Sequence, residues 1–148
     1  MKQVKKLPGA AAGLFLGACL FSAVLYAKNS STERTLFYFR SFDRDDLCTE
    51  MRYLPRNPVQ GEVRLFVDEL LLGPMTNRYK SIFVPGTQAE FCIVEGDTLY
   101  LGLSREALQV DAEMESIRDS VALLKRNIVK RFTKINTVLV YIDGKSAF

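Results

Sequence analysis

Gln88-Ala89-Glu90-Phe91-Cys92-Ile93-Val94-Glu95, then Gly96-Asp97, then Thr98-Leu99-Tyr100-Leu101-Gly102-Leu103-Ser104, is a pair of strand-like runs hinged on a Gly-Asp step. Aromatic and β-branched residues suit a pleated strand, and a glycine-containing pair at the hinge suits a tight turn. Side chains alternate along a strand, so Leu99, Leu101 and Leu103 fall on one face and define the side on which a core must lie.

Working outward toward the C-terminus, Met114, Ile117, Val121, Leu124, Ile128 and Phe132 recur at helical spacing and predict a helix from about Ala112 to Phe132. Thr137 to Ile142 is an apolar strand stopped by Asp143-Gly144. Toward the N-terminus, Met75 to Gly86 is a loop. Before it, Val59, Val63, Phe66, Val67 and Leu70 predict a second helix, with Asn57 as N-cap, Pro58 in the first helical position, Gln60 closing a capping box and Gly73-Pro74 as the stop. Thr35 to Phe42 and Leu47 to Arg56 form a further hairpin around Asp43-Arg44-Asp45-Asp46, with Leu47, Met51 and Tyr53 on one face. The order β-β-α-β-β-α-β implies an α+β domain with two helices packed on one face of a sheet.

Leu7 to Ala27 carries no charge over its length, follows Lys2, Lys5 and Lys6, and precedes a polar stretch from Lys28. About 20 apolar residues suffice to span a bilayer as a helix, and lysines before the span favour a cytoplasmic N-terminus. The chain divides into an anchor or signal segment, 1–27, a linker, 28–34, and a domain, 35–148. The expected location is the cytoplasmic membrane, single-pass, with the domain extracytoplasmic. Two processing routes compete with a retained transmembrane helix: cleavage after Leu25-Tyr26-Ala27, and lipidation of Cys19 within the lipobox-like Leu16-Gly17-Ala18-Cys19.

Composition narrows the function. The 148 residues are 48% hydrophobic and 25% charged, ordinary for one folded domain. The formal charge of +3 comes from the three N-terminal lysines, and the remaining basic and acidic residues balance, so no field points to nucleic acid. With no histidine in the chain, serine–histidine and cysteine–histidine catalysis are excluded and common zinc sites lose their usual ligand. Asp43, Asp45 and Asp46 lack the spacing, glycine and distal glutamate of a calcium loop and read as a solvated turn. Asp68 and Glu69 are adjacent on a helix and point apart; Ser104 reads as a turn or capping residue. No cofactor is expected, and no enzyme activity.

Glu69-Leu70-Leu71-Leu72-Gly73-Pro74, Pro85-Gly86-Thr87, Leu99-Tyr100-Leu101-Gly102-Leu103-Ser104 and Ile142-Asp143-Gly144, in that order, resemble the GerMN domain of bacterial sporulation and spore-germination proteins. Gly102 departs from that pattern, in which a polar residue is common. The resemblance implies a non-enzymatic, extracytoplasmic assembly or scaffolding module whose partners are envelope proteins or further copies of itself. A binding module for peptidoglycan or another envelope polymer is the alternative.

Five residues are candidates for partner binding. Leu65 and Leu72 lie opposite the apolar stripe of the first body helix, and Arg126, Lys130 and Lys134 lie opposite that of the second; incidental exposure and a solvated charged face are the plainer readings. Cys48 and Cys92, both in predicted strands, are a candidate disulfide in an oxidising exterior, with buried free thiols as the alternative.

Overall fold

The computed structural model describes residues 8–29, 32–44, 46–109 and 116–147, with side chains from 11 to 26 in the first of these. Lys2, Lys5 and Lys6, Asp45, and the expected helix start at Ala112 with Met114, lie outside the described residues. The elements run α1 (Pro8–Asn29), β1 (Thr32–Ser41), β2 (Leu47–Pro55), α2 (Glu62–Leu71), β3 (Tyr79–Lys80), β4 (Ala89–Glu95), β5 (Thr98–Leu103), a 3-10 turn (Arg105–Leu108), α3 (Ile117–Arg131), β6 (Thr137–Ile142) and β7 (Lys145–Ser146).

The domain is α+β, but its single expected sheet is corrected to two. One has the order β2-β1-β3 and the other β4-β5-β6-β7. The helices do not share one face of one sheet: α3 packs on β1 of the first sheet and β6 of the second, while α2 packs on β4 and stacks Phe66 on Phe37 of β1 with ring centroids 4.7 Å apart. Phe37 and Phe39 from one sheet, Leu99, Leu101, Leu103, Val140 and Ile142 from the other, and Phe66, Val67, Leu70, Leu124 and Ile128 from the helices form one continuous buried cluster. Burying a side chain of this size stabilises by about 1.5–3 kcal/mol, so the helices act as the shared filling of both sheets.

In the second sheet β5 is interior, antiparallel to β4 and parallel to β6, in register from Thr98↔Thr137 to Leu103↔Ile142. A parallel neighbour requires a crossover, and the 3-10 turn, the intervening chain and α3 supply it. Ser116 caps α3: its hydroxyl oxygen accepts from the Asp119 amide and its O–H donates to the Asp119 carboxylate at 2.6 Å.

The start of α2 differs from the expectation at Asn57-Pro58. Pro58 opens a turn closed by the Gly61 amide on the Pro58 carbonyl, and Gly61 sits at φ +86°, outside helical geometry. The helix therefore begins at Glu62, and Val59 is solvent-exposed. β1 begins at Thr32, inside the expected linker.

α1 occupies the segment read as an anchor, and its side chains from 11 to 26 are all exposed. Among the described residues no helix is long and apolar enough to cross a membrane.

Candidate partner-binding surfaces

Strand alternation gives the second sheet an outer face made from Phe91 and Ile93 of β4, Tyr100 and Gly102 of β5, and Leu139 and Tyr141 of β6. Ile93, Tyr100 and Leu139 form one row across the three strands; Phe91, Gly102 and Tyr141 form the next. Ile93 is 57% exposed and Leu139 37%. The Phe91 and Tyr141 rings come from either side of Gly102, with centroids 6.0 Å apart and planes at 45°. Glu95, Thr98 and Thr137 form a polar row at one margin of the same face. A contiguous apolar face with a polar margin is the usual composition of a protein-docking surface.

The first sheet has a second outer face of different chemistry. Arg34 pairs with Tyr53, Leu36 with Met51 and Tyr38 with Thr49 across β1 and β2, all with outward side chains. Tyr53 is 65% exposed. Beside it, Lys130 of α3 places its ammonium 4.3 Å from the Tyr38 ring centroid, a cation–π distance. Arg131 is ion-paired with Glu33. Arg34, Leu36, Tyr38, Lys130 and Arg131 line an open groove of about 210 Å³.

Two buried polar residues lock these faces onto the core. Arg52, only 7% exposed, donates to the Glu50 carboxylate at 2.6 and 2.8 Å, to the Glu69 carboxylate and carbonyl at 3.0 and 2.9 Å, and to the Gly73 carbonyl. Its guanidinium lies 4.8 Å from the Phe37 ring centroid. The last turn of α2 has no basic residue of its own, so Arg52 brings the cation that its C-terminal carbonyls favour. On α3, Asn127 accepts from the Tyr38 amide at 2.8 Å and donates to the Tyr38 carbonyl at 2.9 Å, taking the place of a strand on the edge of β1 that β3 reaches only at Arg40 and Ser41.

The structure separates the candidates drawn from sequence. Leu65 is half-buried against the core and so is not a spare side chain; the proposed Leu65–Leu72 line is corrected accordingly. Leu72 is 78% exposed but lies past the last residue of α2. Arg126, Lys130 and Lys134 are exposed, and of these Lys130 lines the groove. The Cys48–Cys92 disulfide is corrected: Cys48 is on β2 and Cys92 on β4, strands of different sheets, and both thiols are free. Burial pushes the Cys92 thiol above its ordinary range, with Arg64 opposing the rise and Asp68 adding to it. Cys19 is free and exposed on α1.

The Ser104 hydroxyl oxygen accepts from the Gln88 amide and its O–H holds the Glu106 carboxyl below its usual range, so Ser104 serves the turn. Among the described residues no cluster of three or more acidic or thiol side chains is arranged to hold a metal ion.

The family model described as "Germane: Sporulation and spore germination" matches residues 35–148. The chain belongs to the Germane family. Its fold resembles the tandem GerMN domains of the sporulation protein GerM from Bacillus subtilis, with a TM-score of 0.62 at 16% identity, covering 78% of this chain and 41% of that one. The first GerMN domain of the same protein aligns with a TM-score of 0.57 at 14% identity, covering 76% and 86%. An uncharacterized lipoprotein of Treponema pallidum is 32% identical over 88 residues, 60% of this chain and 66% of the relative. The Germane chain thus spans just under two thirds of that relative and about two fifths of the tandem structure.

Proposed function

We propose that this Germane protein is a membrane-tethered, extracytoplasmic assembly module that acts by binding and not by catalysis. The observation that carries the reading is the outer face of the second sheet, where Ile93, Tyr100, Leu139, Phe91 and Tyr141 leave an apolar surface with no covering element among the described residues. The partner argued for is a second copy of the chain: in the Bacillus subtilis relative two such domains are joined in tandem, whereas the family model matches one stretch here.

Tethering is supported by the uncharged run from Leu7 to Ala27, whose described side chains are exposed along α1. A retained single-pass helix is the first route. Lipidation of Cys19 is the second, favoured by Leu16-Gly17-Ala18-Cys19 and by the name of the Treponema pallidum relative, a lipoprotein. Either route puts the domain outside the cytoplasm.

Sedimentation velocity of the full chain in detergent micelles tests the assembly reading. The wild type should shift to larger species with rising concentration, and an Ile93→Glu, Leu139→Glu variant should stay monomeric with unchanged thermal unfolding. Identical sedimentation of the two proteins would sink the self-assembly reading. Pelleting only with purified cell wall would favour the polymer-binding alternative.

A further inference from the structure

The outer face of the first sheet carries two kinds of side chain side by side. Leu36, Met51, Tyr38 and Tyr53 are apolar or aromatic; Arg34 and Lys130 are cationic and flank them, with Arg126 exposed one turn earlier on α3. None of the residues that line the groove is acidic, and Glu33, next in the chain to Arg34, is paired with Arg131. Tyrosines with aliphatic residues and peripheral cations are the composition of surfaces that lie in the headgroup region of a bilayer.

Chain connectivity adds an independent argument. α1 ends at Asn29 and β1 begins at Thr32, so two residues separate the apolar helix from the strand that carries Arg34, Leu36 and Tyr38. Three Cα steps reach about 11 Å. A domain held that close to its tether meets the membrane surface at a high effective concentration, and weak contacts suffice to orient it.

We infer that the face formed by Arg34, Leu36, Tyr38, Met51, Tyr53 and Lys130 rests on anionic phospholipid of the membrane to which the chain is tethered. The inference rests on the tethering proposed above. The cations hold phosphate-bearing headgroups, an attraction that dies away within a Debye length of roughly 8 Å at physiological salt. The tyrosines and Met51 enter the interfacial layer. The second sheet's apolar face then points to a different surrounding, free for a protein partner.

The chain contains no tryptophan, so Tyr53→Trp introduces a single reporter on this face and Tyr100→Trp one on the other. Each full-length variant is reconstituted with neutral phosphatidylcholine vesicles and with vesicles that also contain phosphatidylglycerol, both including lipid brominated high on the acyl chain. With the anionic vesicles, Tyr53→Trp emission should shift to the blue and be quenched, while Tyr100→Trp emission stays the same in both. Added salt, or Arg34→Glu with Lys130→Glu, should reverse the Tyr53→Trp response without changing thermal unfolding. An unaltered Tyr53→Trp signal in a chain that floats with both vesicle types would overturn the lipid face and leave the tether standing. Failure to float with neutral vesicles, with the Tyr53→Trp response intact on anionic ones, would remove the tether and keep the lipid face. A response confined to Tyr100→Trp would assign the membrane to the wrong sheet and overturn the inference.

Discussion

The ring of Phe91 lies so close over Gly102 that a Cβ on residue 102 would stand 2.1 Å from the Phe91 Cε1. No flexible side-chain end is involved; the whole ring, held also by Tyr141, would have to leave. The glycine is therefore a packing requirement of the outer face of the second sheet.

Gly102→Ala should destabilise the domain by about 1–3 kcal/mol, the ordinary cost of overpacking. In a Phe91→Ala background the same change should cost close to nothing, because the obstructing ring is gone. A double-mutant cycle in urea measures the coupling, and additive effects would contradict the contact.

Arg52→Met should cost about 3–5 kcal/mol, since it leaves the Glu50 carboxylate and the Glu69 and Gly73 carbonyls without their shared donor. Lysine should not rescue it, because one ammonium cannot reproduce a planar fork that serves several acceptors in different directions. Adding Glu50→Gln to Arg52→Met should recover part of the loss by removing the stranded charge. Denaturant midpoints of the three variants check the order.

Cys92 sets an alkaline limit. Its thiol is raised above the ordinary value of 9.0, so the folded chain keeps this proton at pH values where the unfolded chain releases it. The contribution is complete below 9.0 and is lost as pH climbs through the higher folded value. Cys92→Ala should therefore flatten the fall of the urea midpoint above pH 9.0; an unchanged slope in that variant would assign the fall to other groups.

The β4–β5 hairpin and β6 were legible because period-two leucines and a Gly-Asp turn are local signals, and the structure places them within a residue of the reading. The helix start was not. Asn57-Pro58 has the chemistry of a cap, but Gly61 at φ +86° redirects the chain before the helix can begin. The division into two sheets was hidden for another reason: β1 is apolar on both faces, Phe37 and Phe39 inward and Leu36 outward, and β2 puts Met51 and Tyr53 outward while Arg52 points inward, so alternation could not say which side was core. Leu65 was misplaced because angular spacing on α2 takes no account of its tertiary surroundings: it packs against the core and lines one cleft with Leu54, Pro55 and Phe132. Arg52 left one usable trace, a charge at the same strand parity as buried Leu54; Asn127 left none, since a single amide beside a helical stripe looks like surface.

Because β6 lies between β5 and β7 and joins β5 in parallel, an interior strand of the second sheet is synthesised only after the crossover through α3. Leu99, Leu101 and Leu103 are made well before the β6 residues on their far side, and the nascent β4–β5 hairpin must wait with one edge unoccupied. Closing that gap requires a loop of more than thirty residues to fold back, which makes non-local pairing the slow event of assembly. A ribosome that stops short of residue 137 would therefore release a sticky hairpin with an open edge instead of a smaller version of the domain.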